Sequence, residues 1–412
     1  MEREIIEKYL ARDHKEDIKK AYGKLLDVIA TTSLIRSDFY STENDCELYI
    51  KPENLQVTGS FKIRGAYNKI STLSQEQIQK GIIASSAGNH AQGVAFSARQ
   101  RGVNATIVMP NVTPLLKVDA TKAHGAEVII YGDVYDESFE KALEIAEREG
   151  KTFIHPFDDY DVICGQATLG LEILNDLPDV DEIFVPIGGG GLASGLLLAV
   201  KAIKPEVKVI GVIPEGCMAM DASLKCGCVS RQNEIYTCAE GVAVKQPGDL
   251  TFEIVKNYID EIITVSEKEI MENVLLMIEK HKLVAEAAGA VSLAGLKKAD
   301  TAGKKIVAIV SGGNIDTVTI SSIVNQGMIS RGRIMCFGVE LPDKPGQLLS
   351  VASLLSKEGA NVIELVHNQF KAVDRYSNRV LLEVTVETNG HEHIERVLNV
   401  LKEENFRVER IY

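Results

Sequence analysis

The sequence predicts an α/β protein with parallel β-sheets covered by helices on both faces, followed by a smaller, separate module. Two observations support the first part: short apolar runs alternate with helical segments along most of the chain, and several of these runs end in glycine-rich loops. Strands that are apolar throughout and separated by helices are typical of buried parallel sheets. The third observation is a change of pattern near residue 330, which predicts a second domain.

The first half opens with an amphipathic segment from Ile5 to Leu26, which predicts one or two helices, and continues with strand–helix units. Glycine follows each later helix, as is usual at helix C-termini. The predicted strands cover residues 46–51, 81–85, 105–109 and 127–131, and the predicted helices cover 91–101, 113–124 and 136–149. The alternation predicts a first parallel sheet.

The second half repeats the alternation with longer apolar runs. Strands are predicted at 181–187, 208–213 and 304–310, and a helix is predicted at 192–203. Two parallel sheets would place a ligand cleft at the carboxyl ends of their strands.

The C-terminal pattern is that of a ferredoxin-like βαββαβ module of about 80 residues. The predicted order is a strand at 334–341, a helix at 347–358, strands at 361–366 and 379–386, a helix at 391–404 and a strand at 406–411. We therefore predict a first domain at 1–325 with a small subdomain inserted at about 50–155, a linker at 326–332, and a second domain at 333–412.

Composition excludes several classes of function. The net charge of −13 argues against nucleic-acid binding, which needs clustered Lys and Arg. The sequence contains neither a run of 18 apolar residues nor an apolar leader after the charged start, so we expect a cytoplasmic protein that does not bind membranes. The seven cysteines are expected to be reduced, and Cys226 and Cys228 are spaced too closely for a zinc knuckle.

Lys62 and the four-glycine run Gly188–Gly191 are the candidates for chemistry. Lys62 lies among small residues ahead of a predicted helix, and a desolvated lysine loses its proton and becomes a nucleophile toward carbonyls. Consecutive glycines at a helix N-terminus expose N–H groups that bind anions. The run also satisfies the dinucleotide fingerprint through Ala193, with Glu215 further on, so a nicotinamide-dependent dehydrogenase is an alternative.

Four motifs, in order, carry a resemblance to a known family. They are Ser60-Phe61-Lys62, Ser86-Ala87-Gly88-Asn89-His90, Gly188 to Leu192, and Ser311-Gly312-Gly313-Asn314. In this order and spacing the sequence resembles the fold-type II pyridoxal-phosphate enzymes (tryptophan synthase β-like), and among them the threonine dehydratase (threonine ammonia-lyase) family. The resemblance covers residues 20–325 and includes shorter matches such as Lys51-Pro52-Glu53-Asn54 and Glu286-Ala287-Ala288-Gly289-Ala290.

The resemblance implies roles for these residues. Lys62 forms the Schiff base with the cofactor and then acts as the base on the substrate Cα, and Phe61 packs near the ring. Asn89 bonds the 3′-hydroxyl, and Ser311 meets the pyridine nitrogen. The phosphate is held by the residues Gly188, Gly189, Gly190, Gly191 and Leu192, and the substrate carboxylate by the loop of Ser86, Ala87, Gly88, Asn89 and His90.

The implied reaction removes the α-proton and the β-hydroxyl of an amino acid, giving 2-oxobutanoate and ammonia from threonine, or pyruvate from serine. A serine at the ring nitrogen supplies no charge, so the carbanion is short-lived and prompt loss of the hydroxyl is favoured over transamination. Serine racemases look similar over the same region and are an alternative, although they carry a proton-transferring serine where this chain has Ala87. A non-catalytic amino-acid sensor is the alternative from another class.

Two further sites are implied. Glu215, Ala219 and Asp221 reproduce the spacing of a divalent-cation site in serine racemases, with solvated loop acids as the alternative. The C-terminal module resembles an ACT domain, an amino-acid-sensing fold, and its matching residues Asp343, Pro345, Gly346 and Asn361 predict an effector site across a subunit interface. A purely structural dimerisation role is the alternative, and we expect a homo-oligomer, a tetramer or a dimer.

Overall fold

The computed structural model describes residues 3–368 and 379–412. The chain divides into two compact units, Met1–Ile315 and Asp316–Tyr412, and each is described here by itself. Within the described residues, none of the helices has the length and apolar content that crossing a bilayer requires.

The first unit contains two sheets and fourteen α-helices among its described residues. Its strands are β1 (Ile35–Arg36), β2 (Glu47–Pro52), β3 (Ile82–Ser85), β4 (Ala105–Met109), β5 (Glu127–Ile130), β6 (Thr152–Phe153), β7 (Glu182–Pro186), β8 (Lys208–Pro214), β9 (Glu261–Val265) and β10 (Lys305–Val310). Its helices are α1 (Arg3–Leu10), α2 (His14–Leu25), α3 (Asp38–Glu43), α4 (Lys62–Ser71), α5 (Gln75–Lys80), α6 (Asn89–Arg101), α7 (Leu115–Ala123), α8 (Tyr135–Glu149), α9 (Tyr160–Asp176), α10 (Gly191–Ile203), α11 (Ala219–Cys226), α12 (Asp249–Tyr258), α13 (Glu267–Leu276) and α14 (Ala287–Ala294).

The larger sheet has six strands in the order β1-β2-β10-β7-β8-β9, parallel except for the edge strand β1. The smaller sheet has four parallel strands in the order β5-β4-β3-β6. Strands β4, β7 and β10 are buried almost throughout, which is why they have nearly continuous apolar sequences. The predicted α/β class with parallel sheets is therefore confirmed.

The second unit is a four-stranded antiparallel sheet with helices α16 and α17. It begins with α15 (Thr317–Ser330), followed by β11 (Ile334–Pro342), α16 (Gln347–Glu358), β12 (Asn361–Asn368), β13 (Arg379–Glu387), α17 (His391–Glu403) and β14 (Arg407–Arg410). The sheet order β12-β13-β11-β14 is that of the predicted ferredoxin-like module.

The predicted linker at 326–332 differs from the structure. Residues 326–330 are the last turns of α15, and the chain turns only at Arg331 and Gly332. The glycine and serine residues around Gly327 favoured a loop, but an isolated glycine is tolerated inside a helix at a cost of about 1 kcal/mol. Helix α15 falls within the second unit, and its residue Ile323 is buried.

A buried charge network joins the segments around α4. The guanidinium of Arg64 donates two hydrogen bonds to Glu53, both 2.8 Å, and two to Glu172, at 2.6 and 2.8 Å. Lys51 donates to Glu172 and to the carbonyl of Thr32, and the hydroxyl of Thr32 donates to Glu53. All five residues are buried. Burial tends to raise the pKa of Glu53, but Arg64 outweighs it and holds that pKa below its ordinary value.

We expect Arg64→Met to destabilise the first unit by about 3–5 kcal/mol, because it leaves Glu53 and Glu172 buried with only Lys51 as a cation. The urea denaturation midpoint measures the effect. Lys80→Met is the matched control, since Lys80 pairs with Glu76 on the surface and its loss should change the midpoint little. Equal shifts in the two variants would contradict the assigned role of Arg64.

Candidate active site

Lys62 is the first residue of α4, and its backbone is fixed by the loop that follows β10. The N–H of Phe61 donates to the carbonyl of Ser311 at 3.1 Å, and the N–H of Gly313 donates to the carbonyl of Gly59 at 2.9 Å. Gly59 has φ +70°, and a side chain there would collide with Asn314. Two predicted motifs, far apart in sequence, are therefore brought together at one end of the larger sheet.

The amine of Lys62 is largely shielded from solvent, although the residue as a whole is half-buried. Its Nζ donates to the carbonyl of Pro156 at 2.8 Å and lies 5.2 Å from the centre of the Phe61 ring. Burial lowers the pKa of Lys62 to about 8, against the opposing attraction of Glu286. An amine with this pKa is partly unprotonated near neutral pH, so it can act as a nucleophile and as a base.

Two histidines beside this amine are neutral. Burial, and then the charge of Lys62, lower the pKa of His90 to about 3 and that of His155 to about 4. His155 Nδ1 accepts hydrogen bonds from the N–H groups of Phe157 and Asp158, which leaves the proton on Nε2. His90 Nε2 lies 2.9 Å from the carbonyl of Ile154, whereas its buried Nδ1 has no protein partner. Both imidazole rings are therefore uncharged at neutral pH.

A chain of polar side chains links Asn89 to Glu286 and Asn314. The amide of Asn89 donates to Glu286 at 2.6 Å and accepts from Asn314 at 2.7 Å. Burial raises the pKa of Glu286 to about 7, although Asn89 and the positive charge of Lys117 oppose the rise. The sequence identifies Glu286 only as part of a matching motif and assigns it no role. The sequence feature that marks Glu286 is a single carboxylate before a run of small residues.

The glycine loop forms a cradle with the features of an anion-binding site. Among the described residues, no backbone carbonyl accepts a hydrogen bond from the N–H groups of residues 189–192, which open α10. A Cβ atom at any of Gly188, Gly189, Gly190 or Gly191 would meet other atoms at less than 3.0 Å, and Gly190 has φ +96°. Only glycine therefore fits along the loop, and the N-terminus of α10 adds a positive partial charge.

The segment 155–158 connects the amine to this cradle. Pro156 accepts from Lys62, and the side chain of Phe157 occupies the space that a Cβ at Gly189 or Gly191 would need. The carboxylate of Asp158 accepts from the N–H groups at the start of α12. The position of this segment depends on contacts with residues distant in the chain.

The remaining predicted residues line the same end of the sheets. Ser86 Oγ accepts from the N–H of Gly88 at 3.1 Å, and Gly88 precedes α6 with open space where a side chain would point. Ala87 is half-buried and carries no proton donor. The hydroxyl of Ser311 donates to the carbonyl of Ala288 at 3.3 Å.

The donor set fits pyridoxal phosphate. The glycine loop, the partly unprotonated lysine and the polar groups of Asn89 and Ser311 suit the phosphate, aldehyde, hydroxyl and ring nitrogen of that cofactor. His90 Nδ1 is a further buried polar atom without a protein partner. The sequence-predicted roles of these residues remain predictions, which the structure makes geometrically possible within one cleft.

The predicted cation residues are engaged with protein groups. Asp221 pairs with Lys225 at 2.6 Å, and the carbonyl of Ala219 accepts from Ser223 at 2.7 Å. Glu215 is exposed. In the part of the chain that the structure describes, no group of three or more His, Cys, Asp or Glu residues is arranged to hold a metal ion. The cation site stays a prediction.

The predicted effector residues lie at two ends of the second unit's sheet. Asp343, Pro345 and Gly346 form the loop between β11 and α16, next to Pro342, which pairs with Arg379. Asn361 pairs with Glu387 at the other end of β13. With a rise of about 3.4 Å per residue, the eight residue steps along β13 separate the two groups by about 27 Å.

Fold and site together are those of an α/β enzyme in which a lysine of lowered pKa is joined through residues 156 and 157 to a glycine-rich loop at a helix N-terminus. The chain belongs to the family of pyridoxal-phosphate dependent enzymes, whose family model matches residues 25–312. It is 47% identical over 394 residues to an L-threonine ammonia-lyase from Thermotoga maritima, covering 95% of this chain and 98% of that protein.

Solved structures agree with this assignment. Threonine deaminase isoform 2 from Solanum lycopersicum, in its processed form, superposes with a TM-score of 0.73 and 37% identity over 79% of this chain and 94% of that one. Maize serine racemase superposes with a TM-score of 0.72 and 33% identity over 76% of this chain and 98% of that one. The fold-type II class predicted from the motifs is confirmed, and pyridoxal phosphate is its cofactor.

The raised pKa of Glu286 predicts a pH dependence of stability. A carboxyl group whose pKa is higher in the folded chain stabilises the fold fully below its unfolded pKa of about 4.3, and that contribution is lost as pH rises through about 7. The melting temperature of the cofactor-free wild type should therefore fall more between pH 5 and pH 8 than that of Glu286→Gln. The variant retains an acceptor for Asn89, so identical pH slopes in the two proteins would refute the raised pKa.

Proposed function

We propose that this chain is a threonine ammonia-lyase, which converts L-threonine to 2-oxobutanoate and ammonia and L-serine to pyruvate and ammonia. The named relative that covers 95% of the chain supports the substrate class. The observation that carries the chemistry is the desolvated Lys62 amine, with its lowered pKa, in the cleft that also contains the glycine cradle.

Different residues of the cleft bind different parts of the cofactor and of the substrate. Pyridoxal phosphate, when bound, supplies an aldehyde that reacts with amines and a ring that withdraws electrons from the substrate Cα. The N–H groups of residues 189–192 would hold the phosphate, and Asn89 would bond the 3′-hydroxyl of the ring. The N-terminus of α6, beginning after Gly88, attracts the substrate carboxylate. These contacts orient the substrate Cα–H bond toward Lys62. Holding the reacting groups in this position lowers the activation barrier.

Lys62 moves the proton. With a pKa of about 8 its amine accepts a proton from the substrate Cα near neutral pH. His90 and His155 are poor rivals as bases because their pKa values lie near 3 and 4. Ala87 carries no group that could return a proton to the opposite face, so the chain is assigned elimination rather than racemisation.

We expect Lys62→Ala to lose threonine deamination by at least about 10³-fold, because it removes both the nucleophile and the base. Formation of 2-oxobutanoate and the visible absorbance of the purified protein are measured together. Lys80→Ala, an exposed lysine outside the cleft, is the control. Full activity in Lys62→Ala would overturn the assignment, and D-serine made from L-serine at the rate of pyruvate would establish a racemase.

We further propose that the second unit is an ACT-type regulatory module. Its βαββαβ order and sheet arrangement support this class. An amino-acid effector is too small to contact both Asn361 and the loop of Asp343 within one chain, because about 27 Å separates them. The site therefore requires two copies of the chain, each contributing one group.

The edge of the second unit's sheet supports the same proposal. On β12, the edge strand, Val362, Ile363, Leu365 and Val366 are all exposed, by 38–54%. An exposed apolar edge strand is a template for pairing with another chain. Pairing through β12 would give a homodimer, and further association through the first unit would give the tetramer that the family resemblance implies.

Isoleucine and valine are the effectors to test. We expect one of them to change threonine turnover in the wild type, and we expect Asn361→Ala and Asp343→Ala each to abolish that response while basal turnover is kept. Lys357→Ala, an exposed change on α16, is the control that should respond as the wild type does. A monomeric protein, or a response that survives both changes, would contradict a shared effector site.

A further inference from the structure

Cys226 and Cys228 form an exposed pair of thiols at the C-terminal end of α11. Cys226 is the last residue of the helix, and Gly227 ends it in the left-handed conformation, with φ +76°. This turn brings the second sulfur back toward the first, and the two Sγ atoms lie 2.9 Å apart. Both side chains are accessible to reagents in solution.

The two thiols are chemically different. The thiol of Cys228 and its backbone N–H, 3.3 Å away, can both donate to the sulfur of Cys226, and these bonds lower the pKa of Cys226. The same interaction raises the pKa of Cys228. When Cys226 is protonated, its S–H is 2.8 Å from the carbonyl oxygen of Cys228. Cys226 is therefore the thiol that ionises first, and thiolates are the nucleophiles in disulfide exchange.

The other five cysteines differ from this pair. Each is buried or half-buried. Burial raises the pKa of Cys46, Cys164, Cys217 and Cys238, which makes these thiols less reactive. The pair thus combines exposure, a favoured thiolate and an adjacent second thiol, the arrangement found in redox-active cysteines.

The pair also stands at the end of two helices that support the glycine cradle. In the first turn of α11, the methyl group of Met220 lies 2.8 Å from where a Cβ of Gly190 would be. Lys256, on α12, has its amine 3.5 Å from the carbonyl of Gly227. Thr251, also on α12, donates to the carbonyl of Gly189 at 2.7 Å.

We propose that Cys226 and Cys228 are a reversible redox modification site, which closes to an intramolecular disulfide by exchange with a small-molecule disulfide such as oxidised glutathione. The Cys226 thiolate attacks one sulfur of the reagent, forming a mixed disulfide and releasing one reduced thiol. Cys228, after losing its proton to water, attacks the Cys226 sulfur and releases the second. Two protein thiols are oxidised and one reagent disulfide is reduced, so the step balances.

The movement required is small. The sulfur atoms need to approach from 2.9 Å to the S–S bond length of about 2.05 Å, and Gly227 gives the intervening backbone freedom that other residues lack. The first step requires only that Cys226 be ionised. The second is fast because the attacking thiol is held beside its target.

The test exposes cofactor-loaded enzyme to oxidised glutathione and follows its mass and free-thiol content. The wild type should lose two thiols and two hydrogen masses, with no lasting glutathione adduct, and dithiothreitol should restore both thiols. Cys228→Ser should stop at one glutathione adduct on Cys226. Cys226→Ser should react more slowly, because Cys226 keeps the backbone N–H donor of residue 228 in Cys228→Ser, whereas the remaining thiol of Cys226→Ser loses its partner sulfur and gains no such donor.

Cys46→Ser is the control and should behave as the wild type, since Cys46 is half-buried and not part of the pair. Peptide mapping locates the bond. A stable adduct on the wild type, a disulfide elsewhere, or equal rates for Cys226→Ser and Cys228→Ser would each overturn the proposal. Threonine turnover before oxidation, unchanged in all three variants, shows that they are folded.

Discussion

The first unit is organised around one positive charge that has no contact with water. Arg64 is accommodated because two carboxylates and a threonine hydroxyl surround it, and because Lys51 balances the second carboxylate. A buried ion pair rarely adds stability over an apolar core, since desolvation costs about as much as the attraction returns. The network holds α4, α9 and the end of β2 in fixed positions relative to one another. Because Lys62 lies two residues before Arg64 on α4, its position is fixed as well.

The cleft follows from a second constraint, the exclusion of water from groups that would otherwise be charged. The same burial that lowers the pKa of Lys62 raises that of Glu286 and keeps His90 neutral. These shifts move the amine and the carboxyl toward neutral pH from opposite sides, which is a common feature of acid–base sites. The charge balance of the cleft is thus a property of its packing, which local sequence does not reveal.

Sequence patterns predicted the elements that have strong local signals. The apolar strand at 105–109 and the glycine-terminated helices match the structure closely, and so does the order of the C-terminal module. Patterns missed the helix at 160–176, which is buried on nearly all sides and therefore lacks a clear amphipathic period, and the short strand β6. They also mistook the end of α15 for a linker. The family motifs pointed to Lys62 and the glycine run, but His155 and Glu286 acquire their neighbours only through contacts about 90 to 200 residues away in sequence.

The segment 155–158 is expected to tolerate little change in length. One carbonyl, one ring and one carboxylate, on successive residues, contact the lysine, the glycine run and the start of α12. An insertion or deletion here would shift all three at once, whereas loops elsewhere on the surface can vary in length independently. New substrate specificity should therefore arise at Gly88, where a side chain would have open space, while the length of 155–158 stays constant.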